Sequence, residues 1–185
     1  MNFLNTKKKF GSISKLFHWI VSILMISMLV MGLVMTRMDR SAFRVELYGI
    51  HKSLGLTLLI LIVARLLWRL INRVPTYPES IPKWEQTFAR IGHWVLYLII
   101  LAMPLSGWLM STATGHAPDF WHWGAWAMPG INANKTLAKT ANQYHEILAY
   151  AVIVLVSLHV LMALKHHYLG KNNILRRMLP FTKLK

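Results

Sequence analysis

Four long apolar stretches, separated by polar segments rich in proline or tryptophan, organise this chain. Leu16 to Thr36, Ile91 to Thr112 and Ile147 to Leu164 contain no Asp, Glu, Lys or Arg. A fourth stretch, Leu47 to Ile71, is interrupted only by Lys52, Arg65 and Arg69. Runs of about 18 or more apolar residues cross a hydrocarbon layer of about 30 Å at about 1.5 Å per helical residue. The pattern therefore predicts helices over approximately 14–36, 47–71, 90–112 and 143–166, within a single transmembrane domain spanning 1–185. The fold class is all-α integral membrane, a four-transmembrane-helix bundle.

The connections support this division. Pro75, Pro78 and Pro82 forbid a continuous helix between the second and third stretches. Pro104 lies inside the third, where neighbouring helices tolerate a kink. The longest connection, Ala113 to Tyr144, carries Trp121, Trp123 and Trp126, a density that favours a membrane–water interface. The first stretch follows Lys7, Lys8 and Lys9 as a signal peptide would, but it is too long for a signal h-region. Thr36-Arg37-Met38-Asp39 is also a poor cleavage site, so the expectation is a retained helix.

Composition changes the picture in two places. Of 185 residues, 55% are hydrophobic and 15% charged, against about a quarter charged in soluble domains. The chain has no cysteine, which excludes disulfides, iron–sulfur clusters and the Cys-x-x-Cys-His attachment of c-type haem. The net charge of +15 would suggest nucleic acid in a soluble protein, but its distribution is topological. Fifteen Lys and Arg fall in the amino-terminal tail, the second connection and the carboxyl end, against six in the other two connections. By the positive-inside rule both termini are cytoplasmic, and no nucleic acid partner is expected.

Five of the nine histidines, His18, His51, His93, His145 and His159, fall within or at the edge of the predicted helices. One such histidine is most simply a ring hydrogen-bonded to a backbone carbonyl; five together point to function. Depth pairs them. His18 starts the first helix on the cytoplasmic side, and His51 starts the second on the outer side. His145 and His159 share the fourth helix, fourteen residues apart, which separates them by about 21 Å and returns within about 40° of the same face. His18 with His159 and His51 with His145 then form two axial pairs for haem iron, making a bundle enclosing two haems. His93 shares the inner depth and competes with His18 opposite His159, or hydrogen-bonds a propionate or a quinone.

The same offset recurs on other helices. Gly32 follows His18 by fourteen residues and Gly107 follows His93 by fourteen, both at the outer site's depth. Together with Gly55, one turn from His51, they would let a flat macrocycle approach the backbone. Close helix packing through small residues is the competing explanation. Arg65 follows His51 by fourteen and stands at the inner depth, where a guanidinium matches haem propionates. Arg69 and Arg73 lie nearer the surface and suit snorkelling. His116 and His122 lie in the outer connection, and His166 and His167 are expected to cap the fourth helix at the headgroups.

Taken in order, several motifs resemble the bacterial cytochrome b561 family. They are Phe17-His18-Trp19, Ile50-His51-Lys52-Ser53-Leu54-Gly55, and Arg65-Leu66-Leu67-Trp68-Arg69-Leu70. Further along come Gly92-His93-Trp94, Pro104-Leu105-Ser106-Gly107-Trp108, His145-Glu146, and Leu158-His159 with His166-His167-Tyr168. The resemblance covers nearly the whole chain and departs at Tyr144, where Trp is expected. It implies a bacterial inner (cytoplasmic) membrane protein with two haem b groups, ligated at His18, His51, His145 and His159. It also implies ubiquinone as acceptor and, for some members, superoxide as a small redox donor at the outer face.

The leading expectation is therefore a membrane electron-transfer protein, with membrane lipid and quinone as partners and no protein partner required. The outer face carries a formal +2 from six basic and four acidic residues, which favours a small anion. Lipid phosphates are an equal use for those residues. One alternative is a membrane anchor and electron relay for a separate dehydrogenase, recognised by a stable co-purifying subunit. Another is a transporter with histidine proton relays, recognised by the absence of haem absorbance. The two sites about 21 Å apart speak against a proton path of closely spaced groups.

Overall fold

The computed structural model describes residues 3–182. Four long helices and one short one follow in order: α1 (Ser12–Arg37), α2 (Ala42–Ile71), α3 (Lys83–Ala113), α4 (Lys135–Tyr168) and α5 (Ile174–Met178). The first four are long and apolar enough to cross a membrane.

Three helices begin well before their apolar runs do, because caps rather than hydrophobicity start them. The Ser41 side chain accepts from Arg44 N, so α2 starts at Ala42. Pro82 precedes α3, and the Asn134 side chain accepts from Leu137 N to start α4 at Lys135. Such caps satisfy backbone N–H groups that a first helical turn leaves without partners. The helices thus extend past the hydrocarbon layer into polar surroundings, which the apolar pattern alone does not report. Pro104 is accommodated within a continuous α3.

Sequential helices pack as neighbours, α1 on α2, α2 on α3 and α3 on α4, while α1 and α4 do not pack closely. Between them lies a core of Val21, Met25, Met28, Leu58, Ile62, Tyr97, Ile100, Met103 and Val152. Large apolar side chains such as Ile23, Leu98, Tyr150 and Leu158 point outward and remain exposed. This is the arrangement of a bundle whose outer solvent is lipid.

Both ends of the chain gather at one end of the bundle. Asn5 Nδ2 donates to Arg73 O, Thr76 N to Lys7 O, Lys15 Nζ to Leu179 O and Trp19 Nε1 to Met178 O. Gly11 permits this strap, since a Cβ there would run into Phe3 O and the Leu4 backbone. We call this the termini end.

The opposite, loop end is covered by residues 114–134. There Phe120 packs on Trp126 with ring centroids 4.5 Å apart, and Asp119 bridges to Ala125. The segment is pinned to α2 by Lys52 Nζ donating to His116 O, Ser53 Oγ to Asp119 O and Trp121 Nε1 to Thr57 Oγ1. Trp123 is 79% exposed, as an interfacial side chain would be.

Candidate cofactor site

Two histidine pairs face each other across the bundle, one near each end. At the loop end His51 of α2 and His145 of α4 have ring centroids 6.4 Å apart and planes at 84°. At the termini end His18 of α1 and His159 of α4 have centroids 6.4 Å apart and planes at 62°. The fourteen-residue offset works because α4 runs unbroken through both positions.

The separation is chemically informative. Two imidazoles bound to one metal from opposite sides, with nitrogen–metal bonds of about 2 Å, bring their ring centroids about 6 Å apart. Both pairs meet that requirement. His93 lies closer, 5.5 Å from the His159 ring at 77°, and its Nδ1 donates to Ala89 O at 2.6 Å. It stands at the termini end without matching the opposed spacing.

The loop-end pair lines a cleft of about 140 Å³ between the helices, walled by Met28, Tyr48, Met103, Trp108 and Pro118 among others. Gly55 and Gly107 also line it. A Cβ at Gly107 would fall 2.9 Å from His145 Cε1, and one at Gly32 would fall 3.5 Å from His51 Cε1. At Gly55 the nearest atom would be Met28 Cε at 3.7 Å. Gly107 therefore makes room for the His145 ring itself, whereas a Cβ at Gly32 or Gly55 would make only ordinary van der Waals contact.

The second partner of each ring decides which nitrogen is free to bind. His145 Nδ1 donates to Met103 O at 3.1 Å, with Ser106 Oγ 2.9 Å away. The Ser106 hydroxyl in turn donates to Met103 O at 2.7 Å. A proton held on Nδ1 leaves Nε2 with its lone pair, the usual state of a metal-binding histidine. His51 Nδ1 is buried without a hydrogen-bond partner among the described residues. The opposed donor nitrogens and the cleft beside them fit a haem at the loop end.

At the termini end Arg65 Nη2 lies 3.0 Å from His18 Nδ1, and the guanidinium rests 5.2 Å from the centre of the Tyr97 ring. Arg69 approaches the same ring at 5.3 Å and Trp94 at 5.8 Å. Arg65 thus stands at the depth the sequence gave it, beside the termini-end pair, and Arg69 packs on aromatic faces. Ser106, the Met103 carbonyl, Tyr97 and the Ala89 carbonyl escaped the sequence reading. Hydroxyl and carbonyl partners leave no periodic trace, though Ser106 does stand in the Pro104–Trp108 motif.

The remaining histidines take structural roles. His122 Nδ1 pairs with Asp119 at 3.3 Å on the surface, and His116 Nδ1 donates to Thr114 O. His166 Nε2 lies 3.5 Å from Glu85, joining the end of α4 to the start of α3, while the His167 ring packs on Tyr168. Among the described residues no group of three or more His, Cys, Asp or Glu is placed to hold a metal ion.

Comparison with known proteins gives the same class. The family pattern described as prokaryotic cytochrome b561 matches residues 9–181. The chain is 36% identical over 181 residues to cytochrome b561 homolog 2 of Escherichia coli K12, covering 97% of this chain and 95% of that protein. It is 34% identical over 182 residues to a Yersinia pestis protein described as probable superoxide oxidase CybB, covering 94% and 97%. Cytochrome b561 homolog 1 of E. coli K12 is 29% identical over 133 residues, covering 72% and 74%. A four-helix bundle that crosses the membrane and opposes half-buried imidazoles defines a membrane cytochrome. The chain belongs to the prokaryotic cytochrome b561 family, whose members are haem b-binding electron-transfer proteins of bacterial membranes.

Proposed function

We propose that this chain is a di-haem cytochrome b of the inner membrane, both termini cytoplasmic, that carries single electrons from a donor at its outer face to ubiquinone. The observation that supports it most directly is the equal 6.4 Å separation of two histidine pairs about 21 Å apart along the bundle. His51 and His145 would hold one haem b, and His18 and His159 the other. Haem iron bound between two imidazoles supplies a reversible one-electron change.

The chain's own residues contribute orientation and exclusion of water. Met103 O and Ser106 fix the His145 ring, and Gly107 gives that ring room. Arg65 offers positive charge for haem carboxylates at the inner pair. The apolar layer of Met25, Met28, Leu58, Ile62 and Val152 keeps water out between the pairs. Superoxide is the donor this reading favours, supported by the name of the Yersinia relative and by the outer face's formal +2. Positive charge at a site mouth raises the encounter rate of a small anion.

The test is a pyridine haemochrome assay with reduced-minus-oxidised spectra on protein purified in detergent. Two haem b per chain are expected, with His51→Ala and His159→Ala each losing a different one. Folded protein without haem absorbance would refute the reading and return attention to a transporter.

A further inference from the structure

Two arginines, a tyrosine and a tryptophan gather on the outer face of α2 and α3 at the termini end. Arg69 lies in the last turn of α2, and Arg90 immediately precedes the apolar run of α3 that starts at Ile91. Both therefore stand where a hydrocarbon layer gives way to headgroups. Arg90, Trp94 and Leu98 follow one another at four-residue spacing and so share one face of α3. Trp94 is 51% exposed and Leu98 68%, so that face looks out to lipid rather than into the bundle.

Aromatic rings fix Arg69 in place. Its guanidinium lies 5.8 Å from the centre of the Trp94 ring and 5.3 Å from that of Tyr97, and the two rings are 6.1 Å apart. A ring face draws the charge without using up the N–H fork, which matches phosphate oxygens two at a time. Tyr77, in the connection between the helices, joins the cluster. Burial raises the pKa of its phenol, and the charges of Arg69 and Arg90 both act against that rise. No carboxylate balances the two arginines. Among the described residues neither takes part in an ion pair, and Glu85, at the same end, is held by Lys165 and His166.

We propose that this face binds one anionic phospholipid: Arg69, Arg90 and the Tyr77 hydroxyl hold its phosphate, and its acyl chains lie along Trp94 and Leu98. Basic clusters between membrane helices suit such headgroups. The net charge of the headgroup decides the choice of lipid. A zwitterionic lipid brings an ammonium to a place that already holds two uncompensated cations, whereas phosphatidylglycerol brings only the charge of its phosphate. No histidine takes part, so the site stands whether or not the histidine pairs hold haem.

The full chain, purified in detergent and stripped of lipid, would be titrated with phosphatidylglycerol or phosphatidylcholine and the bound lipids counted by native mass spectrometry. Wild type should take one phosphatidylglycerol about tenfold more tightly than phosphatidylcholine, the scale of one charge-assisted hydrogen bond. Arg90→Gln and, separately, Arg69→Gln should each abolish that preference. Arg90 is exposed, so its replacement should leave thermal unfolding in lipid-free detergent unchanged. A chain carrying both Lys8→Gln and Lys9→Gln loses more charge from the same end and should keep the preference.

An absent preference in wild type, or an intact one in Arg90→Gln, would overturn the site. So would an equal loss in the lysine variant, which would reduce the effect to a general attraction of the basic end. Inorganic phosphate should not displace the lipid, because it has no chains to lie along Trp94 and Leu98; displacement would overturn the lipid assignment.

Discussion

Gly107→Ala is the substitution whose consequences follow most directly from a measured distance. In the middle of a helix, Ala is favoured over Gly by about 1 kcal/mol. Propensity alone therefore says that the change stabilises α3. The added Cβ, however, would meet His145 Cε1 at 2.9 Å, Nδ1 at 3.3 Å and Nε2 at 3.7 Å. Ordinary contact begins near 3.4 Å, so the ring must retreat by roughly 0.5 Å. It is not a flexible chain end, because Nδ1 is held against Met103 O and Ser106. Overpacking of this kind costs about 1–3 kcal/mol. If the loop-end pair holds a haem as proposed and that cost falls on the ligand geometry, haem affinity there drops about tenfold to a hundredfold, at about 1.4 kcal/mol per decade.

The assay is haem occupancy of the loop-end site when haem is limiting, with thermal unfolding measured alongside. Gly49→Ala and Gly92→Ala are the controls, since a Cβ at either meets nothing within 4 Å. They should keep full occupancy and unfold at the same or a higher temperature. Wild-type occupancy in Gly107→Ala, or an equal loss in Gly49→Ala, would refute the steric argument.

Two further predictions rest on other contacts. Ser106→Ala removes one of the two groups at His145 Nδ1 and leaves Met103 O in place. Loss of such an outer partner weakens metal binding about 10–100-fold, and here the lower end is expected, seen as a shifted loop-end spectrum and faster haem loss. Tyr77, in the connection before α3, has its phenol pushed above the usual value by burial, against the opposing charges of Arg69 and Arg90. The folded protein thus holds this proton after the unfolded chain has released it near pH 10. Stability from this group is present below that pH and is lost as pH rises through the folded value. Alkaline unfolding should therefore be shallower in Tyr77→Phe than in wild type, and identical curves would remove the argument.

The legible and illegible parts of this protein divide according to distance along the chain. Hydrophobic run length alone located four crossings, because a helix must satisfy its backbone within itself when water is absent. The spacing of His145 and His159 placed two rings at two depths, since rise per residue is a property of the helix and not of its neighbours. Helix starts were less legible: α4 begins at Lys135, where Asn134 caps it, although its apolar run begins only at Ile147.

Contacts between helices belonged to the tertiary structure. Depth left both His18 and His93 opposite His159, and their lateral distances from that ring, 6.4 Å and 5.5 Å, are set by packing. Gly107 stood out as a small residue at the right depth, but that it clears the His145 ring depends on how α3 meets α4. The groups that meet the His18 and His145 rings were out of reach of any pattern. They are a guanidinium from α2 and a carbonyl from α3, and helix periodicity carries no information about which residue of another helix lies within hydrogen-bonding distance.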